Sequence, residues 1–303
     1  MDPIRHVRLN HEGLKNHLLT QSIKPQNREP DGVFPLDGKD LSSITDETLA
    51  ALLTSAPIIH ELGGTTVVRL SKTLIMKGGG SVLASEAEIL RLVASRTSIR
   101  VPRVQRSFEV KDETQYFGIS GYIVMDFIQG RPLDECWDTL PLITQVEIAS
   151  QVGQMIRDMQ SIDLSQPGPI GGGPCRGLFF TDYSAGPFAD AAAMEAWFNH
   201  KLDICKHVKK APKETPPFRL TKFVVTHQDI SPRNLILDQH GCVWLIDWAY
   251  SGAYPPAFES AALSTQHSFT DFNEMVLILI PRYPNEEMQL DSIGYGLTTA
   301  ALA

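Results

Sequence analysis

Residues 224–249 read VVTHQDISPRNLILDQHGCVWLIDWA, and four polar residues in this stretch stand among runs of Val, Leu and Ile. They are His227, Asp229, Asn234 and Asp247. The apolar runs predict one strand before the polar segment and two strands after it. The polar side chains are therefore expected on loops that strands hold in place, where catalytic groups are commonly found.

The spacing of these residues indicates phosphate chemistry. Asn234 follows Asp229 by five positions, and Asp247 comes 13 positions later, at the end of VWLI. Two carboxylates and an amide that converge can orient a hydroxyl, accept its proton and supply oxygen ligands to Mg²⁺. The pattern His-x-Asp-x-x-x-x-Asn is also that of a kinase catalytic loop, with Asp247 in IDWA at the place of a metal-binding aspartate.

The amino-acid composition limits the classes of molecule that this chain is expected to bind. The chain has 303 residues, of which 43% are hydrophobic and 20% charged, as in ordinary folded proteins. A formal charge of -8 gives no broad basic surface for nucleic acid or anionic lipid. The start, MDPIRHVRLN, lacks the apolar core of a signal peptide. The four cysteines form no Cys-x-x-Cys pair, which argues against a zinc site. We expect no nucleic-acid or membrane partner and a cytoplasmic location.

Hydrophobic periodicity divides the rest of the chain into a strand-rich part and a helical part. Residues 42–56 have a helical pattern with Thr45 or Asp46 as N-cap, and 58–77 read as two or three strands broken at Gly63 and Gly64. An amphipathic helix is predicted within 81–97, followed by two strand-like segments. A long helix begins near residue 142, and another is predicted around 190–208.

In these motifs the sequence resembles the aminoglycoside phosphotransferase and choline kinase superfamily, and more closely its large fungal group. The resemblance runs from about residue 45 to about 265. It rests on THQDISPRNLILD and LIDWAYSGAYPPAFE, on GYIVMDFIQGRPL, on WDTL before a helix that ends in MQSI, and on GGPCRG leading to GPFAD. Several motifs in a fixed order make a chance match improbable.

The resemblance implies an α+β, two-lobed protein-kinase-like fold with ATP in the cleft. A small N-terminal lobe with an antiparallel sheet and one helix would occupy residues 46–130. A larger, mainly helical C-terminal lobe would occupy residues 131–303 and contain the catalytic and acceptor-binding residues. Residues 1–45, which are polar and rich in turns, would form an N-terminal arm.

The resemblance also implies the nucleotide-binding residues. Lys77 in LIMKGGG matches the strand lysine that holds the phosphates, and Glu86 in ASEAEIL matches the helix glutamate that pairs with it. Glu88 competes for that role, because only one of the two acids can face the cleft. The backbone of Asp126 and Ile128 would meet adenine. A short phosphate loop is expected from Gly63, Gly64 and Thr65.

The remaining matches concern catalysis. Asp229 matches the catalytic base, and Asn234 and Asp247 match the Mg²⁺ ligands, whereas His227 is expected to support the loop. Two positions depart from the pattern: Gln228 stands where antibiotic kinases usually have Gly, and Ala249 where fungal relatives often have an acid. Both departures leave the base and the metal positions intact.

The acceptor is less well defined by the sequence. Four aromatic residues after the Gly-rich loop are candidates either for acceptor contact or for packing: Phe179, Phe180, Tyr183 and Phe188. Residues 165–220 contain seven basic and five acidic residues, whereas 250–303 contain one basic and six acidic. A polycation requires a consistently acidic pocket, so we do not extend the aminoglycoside substrate to this chain.

Three functional hypotheses follow. The first is an ATP- and Mg²⁺-dependent phosphotransferase that acts on a hydroxyl of a small molecule, with Asp229 as base. The second is a kinase-fold protein, catalytically repurposed or inactive, that binds a metabolite or partner without phosphoryl transfer. A protein kinase is disfavoured, because no Ala-Pro-Glu segment follows Asp247. The sequence leaves open the acceptor, ATP against GTP, and the oligomeric state.

Overall fold

A computed structural model describes residues 33–303 of the chain. Most of the predicted N-terminal arm, residues 1–32, lies outside the described residues. The chain divides into two compact units. The first contains the described residues up to Ala84 together with Val104–Phe127, and the second contains Ser85–Arg103 and Ile128–Ala303.

The first unit is built on one antiparallel sheet of five strands in the order β1-β2-β3-β5-β4. The strands are β1 (Ile58–Leu62), β2 (Thr65–Arg69), β3 (Leu74–Gly79), β4 (Val104–Lys111) and β5 (Ile119–Asp126). β1 and β2 form a hairpin whose two loop residues, Gly63 and Gly64, have φ of 57° and 79°. Because a tight hairpin turn requires positive φ, the glycine pair stops the first strand at this point.

A short helix, α1 (Asp46–Leu52), packs its buried Leu49 into the core of the first unit. The Thr45 side chain accepts from the backbone N–H of Thr48, so that Thr45 is the N-cap, one of the two predicted candidates. Leu36 is buried in the same core and donates its backbone N–H to Leu70. The described end of the predicted arm is thus tied to the sheet.

The second unit is mainly helical. Its helices are α2 (Ala84–Arg96), α3 (Leu133–Cys136), α4 (Leu142–Gln160), α5 (Ala191–His207), α6 (Ala257–Thr265), α7 (Thr270–Leu279), α8 (Pro284–Ser292) and α9 (Gly294–Leu297). α2 groups with this unit from Ser85 onward. The segment after α2 is bonded to it as well, since the carbonyl of Arg100 accepts from the backbone N–H of Leu245.

Two small antiparallel sheets complete the second unit. One has the order β10-β9-β6 and the other β11-β8-β7. Their strands are β6 (Arg131–Pro132), β7 (Asp163–Leu164), β8 (Phe223–Thr226), β9 (Leu235–Leu237), β10 (Val243–Leu245) and β11 (Gly252–Tyr254). The segment that connects β8 to β9 carries His227, Asp229 and Asn234, so two sheets hold it at both ends.

The predicted elements and fold class are confirmed. Residues 224–249 form strand, loop and two further strands, and the helices predicted from residue 142 and around 190–208 are α4 and α5. An antiparallel sheet unit precedes a mainly helical one, as expected for a kinase-like fold. No helix within residues 33–303 is both long and apolar enough to cross a membrane.

Candidate functional site

The loop after β8 brings Asp229 and Asn234 into direct contact. Asn234 ends a single 3₁₀ turn, Pro232–Asn234, and its Nδ2 donates to the backbone O of Asp229 at 2.8 Å and to Oδ2 of Asp229 at 2.9 Å. Asn234 therefore donates both hydrogens of its side-chain amide to Asp229. The amide oxygen Oδ1 accepts no hydrogen bond from the residues that the structure describes.

Asp247 joins this pair through the backbone. The N–H of Ile246 donates to the carbonyl O of Asn234 at 3.0 Å, which places the residue before Asp247 against Asn234. Asp247 itself has φ of 60°, a left-handed conformation that is uncommon for a residue other than glycine. Such a backbone costs about 1 kcal/mol and is often retained at functional sites.

His227 is buried and supports the loop from inside. Its Nδ1 accepts from the backbone N–H of Asp229 at 3.3 Å, so Nε2 carries the hydrogen and donates to the carbonyl of Ile246 at 3.1 Å. The imidazole also packs edge-on against Trp248, with ring centroids 4.8 Å apart. These contacts join the Asp229 segment to the Asp247 segment, in agreement with the supporting role expected for His227.

Glu259 is a second buried residue that supports the loop, and its role was not predicted from the sequence. It lies in the first turn of α6 with 1% of its surface exposed. Its Oε2 accepts the backbone N–H of His227 at 2.6 Å, and Oε1 accepts that of Gln228 at 3.2 Å. Burial raises the pKa of the Glu259 carboxyl to about 7, although these N–H bonds oppose the shift.

One signal in the sequence could have identified Glu259. Residues 257–265 read AFESAALST, in which Glu259 is the single charged residue. A charge inside an otherwise apolar, small-residue helix is rarely buried without a partner. The partner here is backbone, which no side-chain motif reveals.

Gln228 occupies a conformation suited to glycine. Its φ is 68°, a left-handed conformation that glycine adopts without strain. The side chain is almost fully buried, and its Nε2 donates to the carbonyl of Tyr250 at 2.6 Å. Its Oε1 is buried without a hydrogen-bond partner among residues 33–303. An added Cβ at Gly177 would lie 3.1 Å from that oxygen.

Two arginines place positive charge beside the carboxylates. Arg233 Nη2 lies 3.3 Å from Oδ1 of Asp229, a partly exposed ion pair. Arg176, from the Gly-rich loop before α5, donates to the carbonyl of Ala249 at 3.3 Å. Burial lowers the pKa of the Arg176 guanidinium, while Tyr250, Glu86 and Asp247 counteract the shift. A guanidinium remains charged at any physiological pH.

The predicted nucleotide residues of the first unit lie on its sheet. Lys77 is on β3 and is 6% exposed, which is low for a lysine. The carbonyl oxygens of Gly63 and Gly64 accept from the Ser81 hydroxyl at 2.8 Å and the Ser81 backbone N–H at 3.3 Å. Thr65 begins β2 directly after this turn. Asp126 ends β5, and its carboxylate accepts from Gln105 Nε2 at 2.7 Å.

The second unit contains the remaining predicted residues. Glu86 and Glu88 both lie on α2, and their surroundings differ. Glu86 is 2% exposed, whereas Glu88 is solvent-exposed and paired with Arg91 at 2.6 Å. The burial of Glu86 favours it over Glu88 for a specific role, although that role stays a prediction. Ile128 is the first residue of the second unit after Phe127 and is half-buried.

The donor set near Asp229 fits a magnesium ion. Within residues 33–303 there is no group of three or more His, Cys, Asp or Glu side chains that could hold a metal. Mg²⁺ does not require one, because it binds one or two protein oxygens and keeps several waters. The orientation of Asn234 leaves its amide oxygen as the remaining donor atom, and Asp247 supplies a carboxylate on the adjacent segment.

The four candidate aromatic residues fall into two groups. Phe179 and Phe180 are 3% and 4% exposed and belong to the core of the second unit, where Phe180 packs against Tyr254 and Phe198. Their side chains therefore serve packing. Tyr183 is exposed, and Phe188 is half-buried beside a surface cavity.

Comparison with known proteins concerns the fold and the family of the chain. Structures similar to this chain include the GDP complex of aminoglycoside 2'-phosphotransferase-IIIa, with a TM-score of 0.54, 11% identity and coverage of 82% of this chain and 87% of that one. The streptomycin–ATP ternary complex of APH(2")-IIa has a TM-score of 0.51 and 14% identity, covering 82% and 86%.

A thermostable mutant of APH(4)-Ia, in ternary complex with AMP-PNP and hygromycin B, has a TM-score of 0.53 and 14% identity, covering 84% and 89%. The TM-scores of these three structures show that they share a fold with this chain. No curated protein matches the sequence. Residues 74–282, more than half of the chain, match the phosphotransferase enzyme family. The chain therefore belongs to the phosphotransferase enzyme family.

Proposed function

We propose that the protein is an ATP- and Mg²⁺-dependent phosphotransferase that acts on a hydroxyl of a small molecule. One observation carries the proposal: the Asn234 amide directs both of its hydrogens to Asp229, and the backbone bond from Ile246 to Asn234 brings Asp247 alongside. A base and two oxygen donors on adjacent segments form the minimum arrangement for moving a phosphoryl group to a hydroxyl.

Asp229 is proposed as the base. Its Oδ2 accepts from Asn234 and its Oδ1 lies by Arg233, so hydrogen bonds fix the orientation of the carboxylate. A carboxylate held in this orientation can accept a hydrogen bond from an acceptor hydroxyl and then its proton. The proton moves to a carboxylate oxygen of Asp229 as the hydroxyl oxygen becomes the nucleophile.

Asn234 and Asp247 are proposed to hold Mg²⁺ through the amide oxygen and a carboxylate oxygen. When bound, the ion would neutralise phosphate charge. The protein contributes orientation: Asn234 is fixed by its two bonds to Asp229, and the carbonyls of Ile246 and Tyr250, on either side of Asp247, accept from His227 and Gln228.

The nucleotide residues are proposed from the family resemblance. Lys77 would neutralise phosphate charge with Glu86 as its partner, and the turn of Gly63, Gly64 and Thr65 would cover the phosphates. The backbone of Asp126 and Ile128 would bind adenine. Lys77 and Glu86 are both buried, which supports these assignments, since a buried charged side chain is rarely retained without a function or a partner.

Calorimetric titration with ATP, with and without Mg²⁺, tests the proposal. We expect Mg²⁺-dependent binding by the wild-type protein that is lost in Asp247→Asn. Asp271→Asn is the matched control, because Asp271 is an exposed residue in the first turn of α7. In a panel of hydroxylated acceptors, Asp229→Asn should lower turnover by about 10²-fold. Absence of ATP binding in every condition would favour the alternative, a kinase fold that no longer transfers phosphate.

A further inference from the structure

The Gly-rich loop before α5, residues 171–177, contains one charged residue, Arg176, which has no part in the proposed reaction. The backbone beside Arg176 is fixed, because Cys175 exchanges two hydrogen bonds with Ala185, at 2.8 and 3.0 Å. A side chain that starts from an ordered backbone loses less conformational freedom when it makes a contact. The loop therefore offers Arg176 a fixed base from which to hold another segment.

Arg176 contacts the segment that follows Asp247. Its Nη2 donates to the carbonyl O of Ala249 at 3.3 Å, two residues after Asp247. Its Cζ lies 6.0 Å from the centroid of the Tyr250 ring, at the outer limit of a cation–π contact. The guanidinium therefore lies against the same short segment that carries the proposed metal ligand.

Four other carbonyls in residues 245–250 accept hydrogen bonds from uncharged groups. They belong to Leu245, Ile246, Trp248 and Tyr250. Their donors are an indole, an imidazole, a backbone N–H and a side-chain amide, in that order. These bonds surround Asp247, whose φ is 60°. The bond from Arg176 is one of five that hold the segment, so what distinguishes Arg176 from the other donors is its positive charge.

The charge of Arg176 acts on two carboxylates. Burial lowers the pKa of the guanidinium, and Glu86 and Asp247 are among the groups that oppose this shift. The attraction between opposite charges is mutual, so Arg176 also offsets the negative charge of Asp247. A divalent cation bound to Asp247 would be repelled by the same guanidinium. Phosphate oxygens that accompany the cation would instead be attracted to it.

We propose that Arg176 determines the specificity of the metal site, because its charge makes the site select a metal–nucleotide complex over the free metal ion. With no cation bound, the guanidinium compensates the charge of Asp247 and weakens the attraction of the site for a bare divalent ion. When the ion arrives with a nucleoside triphosphate, the negative phosphates offset the repulsion. The inference rests on the proposed metal role of Asp247.

Removal of the charge should have opposite effects on two ligands. One probe is free Mn²⁺, a paramagnetic substitute for Mg²⁺, measured by electron paramagnetic resonance without nucleotide. The other is ATP in the presence of Mg²⁺, measured by calorimetry. For Arg176→Met we expect binding of free Mn²⁺ to become tighter by about threefold or more and binding of Mg²⁺–ATP to become weaker by about tenfold. A merely structural role would weaken both, because loss of the bond to Ala249 would displace Asp247.

Three further variants serve as controls. Arg176→Lys keeps the charge and should bind free Mn²⁺ within about twofold of wild type. Arg176→Gln removes the charge but can still donate to a carbonyl. It should behave as Arg176→Met does, and it takes the place of that variant if the methionine protein does not fold. Arg219→Met should leave both affinities unchanged, since Arg219 is an exposed arginine paired with Glu195 on α5.

The results separate this inference from the proposed function. Free Mn²⁺ binding that is unchanged or weaker in the uncharged variants, or Mg²⁺–ATP binding that is unchanged in them, would overturn the inference. If Mn²⁺ binding is lost in Asp247→Asn but does not tighten in Arg176→Met, only the Arg176 inference fails. If Asp247→Asn binds Mn²⁺ as the wild type does, the proposed metal role of Asp247 fails. The tighter binding should also disappear when Arg176→Met is combined with Asp247→Asn.

Discussion

Gln228 donates from Nε2 to the backbone carbonyl of Tyr250 at 2.6 Å, and this bond joins the residue before Asp229 to the third residue after Asp247. A base on one segment and an oxygen donor on another must keep a fixed distance, since a misplacement of about 1 Å can cost a factor of 10² in rate. The bond between Gln228 and Tyr250 is one of the contacts that keeps the two segments together.

Removing the amide of Gln228 tests that role. Gln228→Met keeps most of the volume but cannot donate to Tyr250, and we expect a loss of about 1–3 kcal/mol in the free energy of unfolding. Turnover should fall at least tenfold. Gln289→Met is a matched control, since Gln289 is also buried and donates to the carbonyls of Pro216 and Pro217, away from the loop. A turnover defect of the same size in both variants would argue against a specific role for Gln228.

Gln228→Gly separates the backbone from the side chain at the same position. Glycine adopts the φ of 68° without strain, so the substitution removes about 1 kcal/mol of backbone strain. This gain offsets much of the free energy of unfolding that is lost with the hydrogen bond. We therefore expect Gln228→Gly to unfold at a denaturant concentration closer to wild type than Gln228→Met does. Urea unfolding of the three proteins at one pH provides the measurement.

Glu259 predicts a specific dependence of stability on pH. Its pKa in the folded protein is about 7, above the ordinary value of 4.5, so the folded state binds a proton that the unfolded state has already released between these values. The contribution of the Glu259 proton to the free energy of unfolding is complete below pH 4.5 and is lost as the pH rises through 7. Because one pKa unit corresponds to about 1.4 kcal/mol, the free energy of unfolding falls by about 3 kcal/mol across this whole pH range.

The measurement is urea unfolding of wild type and Glu259→Gln between pH 5 and pH 8. The variant does not ionise at this position, so the wild type should lose about 2.5 kcal/mol relative to the variant between pH 5 and pH 8. His227 and Asp229 also lie close to the Glu259 carboxylate and are the same in both proteins. Parallel stability curves would show that Glu259 is already ionised at pH 5.

Gly177 packs against the side chain of Gln228. Its φ is 117°, and an added Cβ would lie 3.1 Å from Gln228 Oε1 and 3.2 Å from Tyr250 Cβ. We expect Gly177→Ala to lower the free energy of unfolding by about 1–3 kcal/mol more than Gly241→Ala. Gly241 is a suitable control, because it also has positive φ, 76°, but open space around the added Cβ. Thermal or urea unfolding that ranks the two variants equally would remove the steric argument.

Asn234→Asp separates metal binding from control of the base. The variant keeps an oxygen donor for Mg²⁺ but places a second carboxylate where Nδ2 now lies 2.9 Å from Asp229. Two carboxylates at that distance cannot both ionise freely, so one pKa rises. We expect Mg²⁺-dependent ATP affinity within a few-fold of wild type, with a turnover at pH 7 that is at least 10²-fold lower and recovers in part at higher pH.

Asn285→Asp is the control for that comparison, since Asn285 is exposed in the first turn of α8. It adds the same charge and should leave both ATP affinity and turnover unchanged. If Asn234→Asp retained full turnover, the hydrogen bond from Asn234 to Asp229 would have no catalytic importance.

The sequence was sufficient to predict the strands around the site. The apolar runs on either side of QDISPR predicted β8, β9 and β10, and the spacing of Asp229 and Asn234 predicted two side chains that the structure brings to 2.9 Å. Such local information suffices because the residues belong to one loop. The catalytic and nucleotide roles of these residues stay predictions.

The sequence did not predict the contacts by which other segments hold the loop that carries Asp229. Glu259 binds backbone N–H groups, which have no sequence signature, and Gln228 was recognised only as a departure from a family pattern. The grouping of α2 with the second unit was also not predicted, because it depends on contacts such as that of Arg100 with Leu245, 145 positions apart. Long-range pairings of this kind require the folded chain.

The Glu259 anchor bears on how this loop can evolve. Its bonds come from the backbone N–H groups of residues 227 and 228, and every amino acid except proline provides such a group. The anchor therefore places few limits on which side chains these two positions carry. A substitution at 228 would therefore remove the bond to Tyr250 and leave in place the backbone bonds by which the Glu259 carboxylate holds the residues before Asp229.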